Sequence, residues 1–198
     1  LNNLIISNNK VICVGWADEP PAKEYARPTW AICNLDGSNL QTFTPEYPNQ
    51  QGDIVIRGMC KQNDSIFHLT GDMGNYSFII SINQFGDTLQ TKTIGSGYPE
   101  GLRFRNIGFA NNKLICVGEK FVNIIESDVQ AYMMFLDVNF NIINDYWYPY
   151  ENEEEKMFAK NVLAEPNGDF TVAGIITTPD RDWETWIKKH NSNNVILW

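Results

Sequence analysis

An all-β fold, built from four copies of one antiparallel unit, is what this chain of 198 residues predicts. Three observations carry that prediction. The octet Asn8-Asn9-Lys10-Val11-Ile12-Cys13-Val14-Gly15 returns as Asn111-Asn112-Lys113-Leu114-Ile115-Cys116-Val117-Gly118, with seven of eight residues identical. Chance rarely produces such a match in a chain this short, so the octet points to duplication of a unit. Apolar runs closed by glycine also recur at Val11–Gly15, Ile66–Gly71, Leu114–Gly118 and Phe170–Gly174. Their spacing of roughly fifty residues is the period of a blade or solenoid repeat. Finally, aromatic residues make up 13% of the chain, a bias that suits pleated, half-buried strands.

Taken in order, each unit contains the same four pieces. The opening strands are Leu4–Ile6, Ile54–Ile56, Arg105–Phe109 and Asn161–Ala164. Turns of Asn, Asp or Gly lead from these into the glycine-ended strands. After a loop of variable length come the aromatic-led strands Trp30–Leu35, Tyr76–Ile82, Tyr132–Leu136 and Trp186–His190. A second Asp- or Asn-bearing turn precedes the closing strands Leu40–Thr44, Thr88–Ile94, Ile142–Tyr148 and Val195–Trp198. Short strands joined by hairpin turns predict antiparallel sheets. The units run roughly over 1–52, 53–102, 103–156 and 157–198, and no Gly/Ser or Pro linker divides them, so one domain is expected. The best helical stretch, Glu151–Leu163, is rich in helix formers but falls between units and promises at most one turn.

The net charge of −9 and pI near 4.7 disfavour binding to nucleic-acid phosphate or anionic lipid. The apolar runs are too short for a membrane span. The chain opens at Leu1 with no visible leader, as expected of a mature secreted, periplasmic or cell-surface product. Cys13, Cys33, Cys60 and Cys116 have no metal-ligand spacing and sit in apolar runs, where a free cysteine acts as a small hydrophobe. A Cys13–Cys33 bridge is the alternative.

The unit reads as an apolar strand ending in glycine, a loop, an aromatic with an apolar run, Asp, a turn, then Leu or Ile. Residues Val11–Gly15 with Trp30–Leu40, and Phe78–Leu89, carry the pattern. It resembles the β-propeller-like repeats of secreted bacterial proteins, common in Bacteroidetes and related to the delta-60 repeats. The fourth unit departs from it at Lys188, Lys189 and His190. The resemblance implies a β-propeller-like array of four four-stranded antiparallel blades set around a channel, with a binding or scaffolding role and no catalytic residues in the repeat.

Long loops on a rigid scaffold are where binding residues concentrate. The longest precedes the first aromatic strand, Trp16–Thr29, and carries Asp18, Tyr25 and Arg27. The third unit has Glu119–Gln130 with Phe121, and the fourth contributes Asp182 and Trp183. In a radial array these would share one rim, the candidate contact for a protein or glycan partner. Asp180, Asp182 and Glu184 alternate as Ca²⁺ ligands could, but Thr185 and Asn191 stand where an EF-hand loop needs Gly and Glu. No cofactor is therefore expected, with Ca²⁺ as the one alternative. Tyr146–Tyr150 beside Glu151 and Glu153–Glu155 has the aromatic and acidic content of a sugar site, and equally that of a strand packed on both faces. His68 and His190 lie within predicted strands, and neither belongs to a triad or metal pair. The sequence thus favours a non-catalytic binding or scaffold module. A carbohydrate-binding or carbohydrate-active protein is the second reading, and self-association through exposed blade edges is a third.

Overall fold

The computed structural model describes residues 1–18, 25–45, 53–95, 100–123, 128–148, 156–177 and 182–198. Among these residues fifteen strands form four antiparallel sheets, each made of strands consecutive in the chain. The first contains β1 (Asn3–Ser7), β2 (Lys10–Asp18), β3 (Ala26–Asn34) and β4 (Gln41–Phe43). The second contains β5 (Ile54–Asn63), β6 (Ile66–Met73), β7 (Tyr76–Asn83) and β8 (Thr88–Ile94). The third contains β9 (Gly101–Ala110), β10 (Lys113–Asn123), β11 (Asp128–Asp137) and β12 (Ile142–Trp147). The fourth has β13 (Lys156–Ala164), β14 (Phe170–Thr177) and β15 (Trp183–His190).

The repeated octet is a hairpin turn followed by the second strand of its sheet. Asn8 and Asn9 have φ of 49° and 58°, and Asn111 and Asn112 have 49° and 57°. Two successive left-handed residues suit the turn that matches the twist of a two-residue hairpin, and asparagine adopts that conformation more readily than most residues.

The glycine that closes each octet-like run has a separate cause. In the last three sheets the opening strand carries a bulge beside it: pairing jumps from Ile56 to Gly58, from Phe104 to Asn106 and from Ala159 to Asn161. The displaced backbone crowds the neighbouring strand. A Cβ on Gly71, Gly118 or Gly174 would collide with the carbonyl oxygen of Val55, Arg103 or Phe158. Across the next strand pair those glycines face Phe78, Tyr132 and Trp186.

Several expectations are corrected. The one-residue offset between Trp30, six residues before Asp36, and Tyr132, five before Asp137, is a change of face: Gly15 faces Thr29 while Gly118 faces Tyr132. A shift of one residue reverses a strand's side chains. The stretches expected as loops are largely paired strand, since Gly15 to Asp18 pair with Thr29 to Ala26, and Glu119 to Phe121 with Ala131 to Val129. The fourth sheet has three strands. Val195–Trp198 meets β15 only through the His190–Ile196 bridge and two backbone bonds to Lys189, of 2.9 and 2.7 Å, too short a ladder for a strand. Residues 156–164 of the best helical stretch are strand β13, and residues 151–155 lie outside the described residues.

The sheets stack face to face in chain order. Ile12, Val14, Trp30 and Ile32 pack on Ile54, Ile56, Leu69, Phe78 and Ile80. Cys60 and Ile79 meet Phe104, Ile107, Leu114, Cys116 and Met134. Ile115, Val117, Met133 and Phe135 meet Met157, Val162, Phe170 and Val172. Both faces of the middle sheets are therefore core. This is why β6 and β7 are buried at successive rather than alternate positions, and why β11 carries the unbroken apolar run Ala131–Leu136. Among the described residues no such cluster joins the fourth sheet to the first.

Candidate functional site

The residue displaced at each bulge is basic: Arg57, Arg105 and Lys160. The residue after the glycine is acidic in the second and third sheets, Asp72 and Glu119. These five groups form one ladder of charge. Arg57 Nε donates to Asp72 Oδ1 at 2.7 Å, and Arg105 Nη1 lies 3.6 Å from the same oxygen. Arg105 Nη2 donates to Glu119 Oε2 at 2.7 Å, and Lys160 Nζ to Glu119 Oε1 at 2.5 Å. Each carboxylate thus ties the cation of its own sheet to the cation of the next. Burial opposes the charge on Arg105, but hydrogen bonding and attraction from Glu119 and Asp72 outweigh it and raise the pKa. In the first sheet the corresponding positions hold Asn2 and Trp16, where Asn2 Nδ2 donates to Ile56 O at 2.5 Å. In the fourth sheet Ile175 stands in the acidic position. A sequence signal for the ladder existed, a cation 15 or 14 residues before an acid that follows the glycine. It is visible only once the bulge is known.

Beside the ladder runs a groove of about 390 Å³, lined by Asn3 of β1, Met59 to Lys61 of β5, Asn106 to Phe109 of β9 and Asn161 to Ala164 of β13. The first strands of all four sheets therefore converge on one depression. Asn3, Asn106 and Asn161 each stand next to the bulge position. Asn106 Nδ2 donates to Asn161 Oδ1 at 2.5 Å. Gly58 occupies this position in the second sheet because a Cβ there would lie 2.6 Å from Asn106 Cα. Equivalent positions touch at successive contacts, so the units repeat in the same sense. The hairpins between second and third strands consequently open towards one end of the molecule.

Those hairpins carry the residues singled out from the sequence. Asp18 ends β2 and pairs with Ala26, whose N–H donates to Asp53 Oδ1 at 2.8 Å. Tyr25 is exposed, and Arg27 is half-buried with no acceptor for its shielded Nε and Nη1. Phe121 lies under the Arg103 guanidinium at 4.8 Å. Asp182 is exposed, and Trp183 is 65% exposed while stacking on Phe158 with centroids 6.2 Å apart. No hydrogen bond or ring contact among the described residues joins one of these hairpins to another.

The aromatic half of the sugar-site reading turns inward. Tyr148 is fully buried and packs with Tyr146, Trp186 and His190. Trp147 meets Tyr132 edge-on beneath Lys120. The acidic half, residues 151–155, lies outside the described residues, as do Tyr150, Asp180 and Arg181. Among the described residues no group of three or more His, Cys, Asp or Glu is arranged to hold a metal ion. None of their helices is long and apolar enough to cross a membrane. All four cysteines are free; burial pushes up the thiols of Cys60 and Cys116, which meet between the second and third sheets.

Both histidines are buried. His68 accepts from Ser81 Oγ at Nδ1 and donates from Nε2 to Gln62 Oε1, both at 2.7 Å, an arrangement that satisfies the neutral ring. Burial lowers its pKa from 6.5 to about 4. His190, bonded to Tyr148 Oη at 3.0 Å, is lowered for the same reason. Because the folded values lie below the unfolded one, the stabilisation is complete above pH 6.5. It is lost as pH falls from there through about 4. His68 alone should account for about 3 kcal/mol across that window. Urea titrations at pH 7 and pH 4 measure this. A His68→Gln variant should show a smaller acid-dependent loss than the parent protein.

No protein-family model matches the chain, and comparison with curated proteins likewise found no match.

Proposed function

We propose that the four sheets are blades of a β-propeller-like array. In this reading the protein is a non-catalytic binding or scaffold module, secreted, periplasmic or on the cell surface, and related to the delta-60-like repeats of Bacteroidetes. It contacts a protein or glycan through the hairpin tips at one end. The observation that carries this is the convergence of all four opening strands on one groove while equivalent hairpins open to the same side. The second sheet supports it by contrast: Met73 and Tyr76 pair across a tight turn at Gly74, whereas the other three sheets extend these hairpins further. Exposed Tyr25 and Trp183 at such tips are the amphipathic side chains that anchor interfaces.

A glycan array tests the reading. Wild type should bind a defined glycan class, and Tyr25→Ser/Phe121→Ser/Trp183→Ser should lose about tenfold or more in affinity. Asn9→Gly/Asn112→Gly, at the opposite end and compatible with positive φ, should bind as wild type does. Equal binding by the tip variant removes the rim, a blank array restricts the ligand to protein, and hydrolysis of model glycosides removes the non-catalytic reading.

A further inference from the structure

Each internal contact between sheets repeats the same register, so every position has a buried counterpart against which it can be judged. The residue two places after the bulge faces the preceding sheet. Met59, Ile107 and Val162 hold that position and are 4%, 2% and 7% exposed. Its counterpart in the first sheet, Leu4, is 46% exposed. On the opposite face, the third-strand residue one place past the glycine's partner faces the following sheet. Trp30, Ile79 and Met133 hold it, at 2%, 0% and 0%. Its counterpart in the fourth sheet, Ile187, is 52% exposed. Leu163, counterpart of buried Cys60, is 69% exposed.

The two outer faces are therefore not unrelated apolar patches. They are the two halves of a contact that the molecule already makes three times between neighbouring sheets. Leu163 and Ile187 stand on the outer face of the fourth sheet, and Leu4 and Ile6, beside the smaller Cys13, Ala31 and Cys33, on that of the first. Arg27 belongs to the same face as Ala31 and Cys33, with buried Nε and Nη1 lacking an acceptor.

We propose that these faces dock a second copy of this chain, the fourth sheet of each protomer covering the first sheet of the other. Exposed apolar faces of this kind mark association sites. Because each copy carries both halves, two copies related by a two-fold axis satisfy all four faces through two head-to-tail contacts. The inference rests on the register of the sheet contacts and not on the binding rim proposed above.

Sedimentation velocity decides it. Wild type should form a concentration-dependent species of twice the 22.7 kDa of one chain. Leu4→Glu and Ile187→Glu, each placing a carboxylate within one half, should separately weaken the dimer by about a hundredfold, with unchanged circular dichroism. An equimolar mixture of the two variants should regain a dimer, because one wild-type contact can then form between them. If Leu4→Glu does not fold, Ile6→Glu on the same face, 59% exposed, replaces it. A wild type that stays monomeric at every concentration overturns the proposal. So does loss of the dimer in only one variant, which would mean that like faces pair, or a mixture that fails to recover.

Discussion

Replacing Glu119 by Gln should cost about 3 kcal/mol or more of folding stability, lowering Tm by about 6–12 °C for a chain of this size. Glu119 is 1% exposed and accepts from Arg105 and Lys160 together. The amide keeps one oxygen and sets an N–H₂ group against the guanidinium or the ammonium. Two cations from different sheets are then left under-compensated where water cannot fully solvate them. Removing the whole cluster, as Arg105→Met/Glu119→Met/Lys160→Met, should cost less than Glu119→Gln alone, because a desolvated ion pair contributes little net while a stranded charge is expensive. Asp72 still has a partner in that triple variant, Arg57, whose Nε lies 2.7 Å from Oδ1 in the parent protein. Differential scanning calorimetry of the two proteins checks both points, and a Glu119→Gln melt within a degree of wild type would show that the ladder does not hold the sheets.

The two copies of the octet should respond unequally to one substitution. Gly118→Ala should destabilise by about 3 kcal/mol, since overpacking against a fixed backbone cannot be relieved by a rotamer change. The added methyl would meet the Arg103 carbonyl and Phe104 Cα. Gly15→Ala should cost less than about 1 kcal/mol, because the nearest atom is Leu1 Cα at 3.3 Å. Neither glycine has positive φ among the residues so identified, so the difference is one of space and not of backbone conformation. Chemical denaturation of the paired variants measures it, and equal losses would refute the role assigned to the bulge.

Much of the fold was legible from periodicity. Repeated turns of left-handed asparagine, glycine-ended apolar runs and Asp- or Asn-bearing turns are local features, written in neighbouring residues. The division into four antiparallel sheets of consecutive strands agrees with them. Register was less legible. Trp30 lies six residues before Asp36 and Tyr132 five before Asp137, and that single residue sets the two aromatics on opposite faces, while composition does not record which residue pairs with which. The long hairpins were read as loops because polar and proline residues interrupt them, as at Pro28, although they pair as strands. Of the candidate site, Tyr25 and Trp183 were recognisable as exposed aromatics on extended hairpins. The charge ladder was not, because its members are 14 or 15 residues apart in one unit and 33 or more across units.

The sequence by itself therefore determined the local pattern: where the asparagine and glycine turns fall and how often the glycine-ended runs return. These are short-range properties set by side-chain shape and backbone preference. Only the tertiary structure decided which faces the units bury, where the bulges fall, and that Arg57, Asp72, Arg105, Glu119 and Lys160 meet. Burial and charge pairing depend on distances between sheets, and those distances arise only when one unit packs against the next.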